Sequence, residues 1–171
     1  FDEWSRNGRF IRDVAEMLDN VLQVFINKAP DHVKRAKYSA MRERSIGVGA
    51  LGFHAYLQSK QIPFEGVMAK SLNTKVFRHI SNRLYKANIE LGSERGEAPD
   101  AVGTGRRFSH TTAIAPNASS SIIMGNTSPS IEPFRANAYR QDTLSGSHFA
   151  KNKYLDKLIK EKCEENPKLH Y

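Results

Sequence analysis

Apolar residues recur along the first stretch of this chain at helical intervals. From Asn7 to Ile26, the positions Phe10, Ile11, Val14, Met17, Leu18, Val21, Leu22 and Phe25 fall at i, i+3 and i+4 spacing, which keeps one face of a helix dry. Pro30 breaks that helix, and the Lys- and Arg-rich run to Arg44 reads as a basic linker. The period then changes. In "RSIGVGALGFHAYL", Arg44 to Leu57, the residues Ile46, Val48 and Leu51 alternate with Gly47, Gly49 and Gly52. This predicts a short buried strand or tight turn that another backbone approaches closely, running into a helix near Phe53. A second amphipathic helix is expected over Ala69 to Gly92 on the stripe Leu72, Val76, Ile80, Leu84, Ala87 and Leu91, with Gly92 and Gly96 as stop signals. Pro99 to Arg107 has no period and reads as a loop, Thr111 to Ile114 is strand-like, and "NAYRQDTLSG" after Pro133 suggests short strands. A last helix, Asn152 to Glu164, has Tyr154, Leu155, Leu158 and Ile159 on its apolar side, with Cys163 one turn further as a packing residue.

Composition narrows the classes. With 171 residues, 39% hydrophobic and 26% charged, the chain can bury a core of ordinary globular kind. Its net charge of +8 favours anionic partners over cationic ones. The short clusters Lys34-Arg35-Ala36-Lys37 and Arg42-Glu43-Arg44 read as solvated faces, and no nucleic-acid-binding motif accompanies them. The single Cys163 leaves no internal disulfide and no CxxC pair, which fits a reducing compartment. No apolar run approaches the roughly 18 residues a membrane helix needs, and no signal segment opens the chain, so a cytoplasmic protein is expected. The start at Phe1 without methionine suggests a piece of something longer. Phe77 and Tyr85 are read as core or interface residues, and His79 as a helix-surface residue.

Three places could carry chemistry. Gly47, Gly49 and Gly52 have the G-x-G-x-x-G spacing of a dinucleotide fingerprint, but that needs a βαβ unit and an acid about 20 residues on, and only Glu65 lies near. Close backbone packing explains the same glycines. The adjacent Arg106 and Arg107 could meet an anion or simply face water. The stretch "TTAIAPNASSSIIMGNTSPSIEP", Thr111 to Pro133, sets a strand against Pro116 and then Asn117, Ser119, Ser120 and Ser121, residue types that cap helices through side-chain oxygens. The first turn of such a helix presents unpaired N–H groups and the positive end of its dipole, so it suits a phosphate. An ordinary capped helix start is the alternative. Serine nucleophile chemistry with His110 lacks a G-x-S-x-G elbow, and the Gly-Lys-Ser/Thr of a Walker loop is absent.

The motifs "RSIGVGALGFHAYL", "IAPNASSS", "SIEP" at Ser130 to Pro133 and "NAYRQDTLSG" occur in the order in which similar segments occur in the large, catalytic subunit of class I ribonucleotide reductase. The resemblance runs from about Arg44 to Leu158, and the opening helix also fits. It implies an α/β fold: a fragment of the ten-stranded α/β barrel of the ribonucleotide reductase and glycyl radical enzyme type, with amphipathic helices. Residues 1–171 would form a single partial domain, with a helix over 1–28, a Gly-rich strand or turn and helices over 44–98, a phosphate-binding strand–turn–helix over 109–133 and a terminal helix over 150–165. Carried over residue by residue, the substrate-diphosphate segment falls on Pro116, Asn117, Ala118, Ser119 and Ser120, with Ser121 at its edge.

The departures matter equally. The family's Asn-Leu-Cys-x-Glu stretch, with its thiyl-radical cysteine, and its redox cysteine pairs have no counterpart here. No catalytic residue or metal ligand is therefore assigned, no cofactor is expected on this segment, and the segment alone should be inactive. The complete enzyme would reduce ribonucleoside diphosphates to 2′-deoxy products. It would use a thiyl radical, a metal-containing small subunit, dNTP and ATP effectors, and re-reduction by thioredoxin or glutaredoxin, with this piece docked to the rest of the large subunit. The alternatives are a fragment of a cobalamin-dependent, class II reductase and a non-catalytic phosphate-binding or assembly module.

Overall fold

A computed structural model describes every residue except Pro167, His170 and Tyr171. Its elements are helices α1 (Phe10–Lys28), α2 (Lys34–Glu43), α3 (Phe53–Ser59), α4 (Val67–Arg95) and α5 (Ala118–Ile123), strands β1 (Ala138–Thr143) and β2 (Gly146–Lys151), and helix α6 (Lys153–Glu165). Among the described residues no helix is long and apolar enough to cross a membrane. The chain divides into two compact units, one of Phe1–Gly49 with Ser71–Ile114, the other of Ala50–Lys70 with the chain from Ala115 onward.

In the first unit the core is formed by Ile11, Ala15 and Ile26 of α1, Val76, Ile80, Leu84, Ala87 and Leu91 of α4, together with Ile46, Ala98, Ala101 and Phe108. The expected stripe on α4 is therefore buried from Val76 to Leu91, with Leu72 only half-buried. That on α1 is only partly so: Met17, Val21 and Phe25 are exposed, because the face turned inward is centred on Ile11, Ala15 and Asp19. The basic linker is instead α2, whose Lys, Arg, Ala, Met and Glu residues are good helix formers uninterrupted by Gly or Pro. Arg44 ends it in the left-handed region, φ 46°. Nor does α4 stop at Gly92. It runs on to Arg95, and Gly96 at φ +86° lies just beyond. Gly92 is glycine for a different reason: a Cβ there would stand 2.2 Å from the Gly105 carbonyl oxygen. His79 is half-buried with its ring edge-on to Phe1 and Trp4, at 5.7 and 5.9 Å between centroids.

The expected strand at Thr111 to Ile114 is reduced to one parallel bridge, Val48 with Thr112. Backbone bonds support it: Ile46 N–H to His110 O, Val48 N–H to Thr111 O and Ala113 N–H to Val48 O, at 2.9 to 3.2 Å. Glycines on one side and Pro116 on the other keep the pairing short. The glycines of the G-x-G pair both sit against Ala113. A Cβ on Gly49 would lie 2.4 Å from the Ala113 carbonyl oxygen, and one on Gly47 would lie 2.9 Å from the Ala113 Cβ. Close packing is the use the structure makes of them.

The second unit holds a two-stranded antiparallel hairpin, with Tyr139 opposite Ala150 and Thr143 opposite Gly146. Asn152 then caps α6, its Oδ1 accepting from the N–H groups of Tyr154 and Leu155. Asn152 is buried and also binds Asn137 through both backbone and side chain. Cys163 is half-buried.

Candidate functional site

Helix α5 is built from the serine cluster, and the strand–turn–helix order predicts where it starts. Its first intrahelical bond runs from Ser121 N–H to Asn117 O at 2.9 Å, so the amides of Ala118, Ser119 and Ser120 precede it and have no partner inside the helix. The side chains of Ser119 and Ser120 are exposed beside these amides. The end of α5 turns sharply through Gly125 and Asn126, both at positive φ, and Thr127 N–H closes onto Ser121 O.

Two members of the predicted set are used inward. Ser121 is buried, and its Oγ–H donates to Ala118 O at 2.6 Å, so its hydroxyl tightens the turn. Asn117 occupies the N-cap position without capping: its Oδ1 accepts instead from Ser130 N–H at 2.6 Å. The segment it grips is fixed in turn to the start of α3. Ser128, fully buried, accepts from Ala55 N–H on Oγ and from Gly52 N–H on its carbonyl, at 3.1 and 2.8 Å. Gly52, at φ +79°, is the one glycine of its motif whose backbone needs a left-handed turn, and a Cβ there would press on Thr127.

Beside α5 lies a cavity of about 410 Å³ lined among others by Ala118, Ser121, Asn126, Arg135, Tyr139 and Arg140. Arg135 stacks over the Tyr139 ring at 4.6 Å and donates to Arg140 O. Arg140 pairs with Asp142, whose carboxyl is held below its ordinary pKa by the Ser147 hydroxyl first and by Arg140 second.

In the same unit His54 is set edge-on between Phe64 and Phe134, with Nδ1 accepting from Phe134 N–H. Burial pushes its pKa down. A histidine whose folded pKa is depressed resists protonation only while folded, so its contribution is full above the unfolded value near 6.5 and is lost as pH falls through that value toward the folded one. The thermal midpoint of the intact protein should drop as pH falls below about 6.5. A His54→Gln variant should show a shallower drop in the same scan, and an unchanged slope would assign that region to other groups.

The other candidates resolve within the first unit. Arg107 meets an internal anion: its guanidinium donates to Asp19 and to the carbonyls of Arg95 and Gly96, while Arg106 is exposed. His110 Nδ1 lies 3.1 and 3.3 Å from the hydroxyls of Ser109 and Ser45, residues outside the serine cluster. Sequence reasoning missed Asp19, a carboxylate 1% exposed that receives Arg44, Arg95 and Arg107. The signal was present: Ile11, Ala15 and Asp19 follow one another at i+4, which puts an acid on the dry face.

Comparison with known proteins places these features in context. The profile of the family described as "Ribonucleotide reductase, barrel domain" matches residues 2–104 and 99–170. The chain is 61% identical over 166 residues to the ribonucleoside-diphosphate reductase large subunit of Invertebrate iridescent virus 3, covering 97% of this chain and 26% of that protein. It is 34% identical over 170 residues to the vitamin B12-dependent ribonucleoside-diphosphate reductase of Thermoplasma acidophilum, covering 95% of this chain and 21% of that one. Among solved structures, the Actinobacillus ureae class Id ribonucleotide reductase alpha subunit superposes with a TM-score of 0.85 at 37% identity, over 95% of this chain and 29% of that chain. The chain thus spans about a quarter of the length of the relatives it matches.

Proposed function

The chain belongs to the ribonucleotide reductase barrel-domain family, and from that premise we propose that it is the phosphate-binding section of a ribonucleoside-diphosphate reductase large subunit. In this reading it forms part of a ten-stranded barrel, of which the parallel pairing at Val48 and Thr112 is one contact between strands. The complete enzyme reduces ribonucleoside diphosphates to their 2′-deoxy forms in the cytoplasm. Reacting cysteines, nucleotide effector sites and the surface for a radical-generating small subunit belong to segments outside residues 1–171, and thioredoxin or glutaredoxin restores the thiols.

The observation that carries the site assignment is the start of α5. Three amides without helical partners and two exposed hydroxyls, at Ser119 and Ser120, are grouped in the family's phosphate segment. A diphosphate seated there accepts from those amides and hydroxyls and meets the positive end of the helix dipole. Small side chains let it come close. This segment binds and orients; it moves no proton or electron.

In the intact reductase, Ser119→Leu with Ser120→Leu should raise the KM for CDP by about 10- to 100-fold, from losing one or two charge-assisted hydrogen bonds and blocking the approach. The circular dichroism spectrum should stay native. An unchanged KM would leave the cluster as a helix start and nothing more. A cobalamin-dependent enzyme is the second reading, favoured by the 34% identity to the vitamin B12-dependent relative. The two separate on whether turnover of the intact protein requires added cobalamin or a small subunit.

A further inference from the structure

The residue at the head of the phosphate segment does something its position does not announce. A helix N-cap asparagine ordinarily turns its Oδ1 onto the N–H of the second or third helical residue. Here those are Ser119 and Ser120, the amides the diphosphate would need. Asn117 makes no such bond, and its Oδ1 accepts from Ser130 N–H, 13 residues away.

We propose that Asn117 is a positioning residue: by holding Ser130 N–H it keeps its own oxygen off the amides of α5 and locks those amides in the orientation that receives the diphosphate. The inference rests on the phosphate reading given above. Its geometry continues beyond the pair. Ser130 is buried at φ 45°, a left-handed backbone that a serine holds only when its surroundings fix it. The carbonyl of Ser130 faces Phe53 N–H at 3.5 Å, and Ser128 takes the amides of Gly52 and Ala55. The head of α5 is therefore tied through Asn117 to a turn that is itself tied to the head of α3. Without the link, residue 117 would be free to rotate about a single anchor, the Asn117 O to Ser121 N–H bond, and the amides would have to be ordered by each incoming substrate.

The test uses the intact reductase and two variants, Asn117→Ala and Asn117→Asp, with hydrogen exchange of the Ser130 amide and steady-state kinetics on CDP. For Asn117→Ala the Ser130 amide should exchange at least about tenfold faster while the KM rises about tenfold and kcat stays within about twofold, the pattern of a binding contribution shared by ground and transition states. Asn117→Asp retains an acceptor oxygen, so its Ser130 amide should exchange at the wild-type rate; loss of protection there would overturn the link. A raised KM in Asn117→Ala with Ser130 exchange unchanged would mean that Asn117 touches the ligand itself, and faster exchange with an unchanged KM would reduce the link to a structural contact. Either would overturn the proposal. Failure of the phosphate reading is seen separately, as a KM indifferent to leucines at 119 and 120.

Discussion

Replacing Asp19 with asparagine should destabilise the protein by about 3–5 kcal/mol, because it removes the buried anion on which three guanidinium groups converge, only one of which, Arg95, has a second carboxylate, Glu16. Asp19 is 1% exposed, and Arg44 contacts it at 2.6 Å, Arg95 at 2.8 Å and Arg107 at 3.1 Å. Arg44 and Arg107 are themselves largely buried, at 8% and 11% side-chain exposure. An asparagine fits the space and can still accept on one oxygen, yet it leaves the buried Arg44 and Arg107 without their carboxylate, while Arg95, 28% exposed, keeps Glu16. The loss is a large share of the 5–15 kcal/mol by which domains are commonly stable, so urea titration of the intact protein should read it easily. Arg42→Ala, which breaks an exposed pair with Asp100, is the control and should cost no more than about 1 kcal/mol. If the two variants match, the buried cluster has no special energetic role. The same carboxylate sets an acid limit. Burial alone would raise its pKa, but the guanidinium hydrogen bonds from Arg44, Arg95 and Arg107 outweigh it and the net shift is downward. With the folded value depressed, the contribution is complete above the ordinary carboxylate value of 3.8 and disappears as pH falls through the folded value. Acid unfolding of the Asp19→Asn variant should therefore be less steep below about pH 4.

Gly92→Ala gives the second large effect, and its sign is opposite to what helix propensity suggests. In an exposed helix interior, alanine in place of glycine gains about 1 kcal/mol. Gly92 lies inside α4, but its Cβ would stand 2.2 Å from the Gly105 carbonyl oxygen, 2.9 Å from the Gly105 carbonyl carbon and 3.0 Å from Arg107 N. These are backbone atoms, held in place by Asn88 O accepting from Arg107 N–H and by Glu97 accepting from the amides of Gly103 and Gly105. They cannot swing aside as a side chain would. Overpacking of this kind costs about 1–3 kcal/mol or more, so the variant should melt several degrees lower than the parent. A higher midpoint would mean that the loop from Gly103 to Arg107 yields readily.

Particular residues show where sequence reasoning reached and where it stopped. The stripe Val76, Ile80, Leu84, Ala87 and Leu91 is legible because helical period is a local property, and the structure buries those residues. The last helix, expected from Asn152 on the apolar side of Tyr154, Leu155, Leu158 and Ile159, is legible for the same reason, and the structure adds that Asn152 caps it. At Gly92 the same local logic misleads: a glycine near the end of a pattern signals a stop, whereas the close approach of Gly105 is what demands it. The run Lys34 to Glu43 misleads in another way, since charge density hides a helix that propensity alone supports. At the candidate site the residue types and their order identify a helix start. They do not say that Ser119 and Ser120 are exposed while Ser121 turns inward.

By itself, then, the sequence determined the helices other than α2, short strands after Pro133, the serine-lined helix start and, through four ordered motifs, the family. The elements depend on residues within a few positions of one another, and the family on the order of four short motifs between Arg44 and Gly146. Only the tertiary structure decided that Asp19 gathers arginines 25, 76 and 88 residues away, and that Asn117 gives its oxygen to Ser130 rather than to its own helix. A charge or a hydrogen-bonding atom has no partner specified along the chain. It takes the one that folding brings within about 3 Å, and burial makes that choice costly to undo.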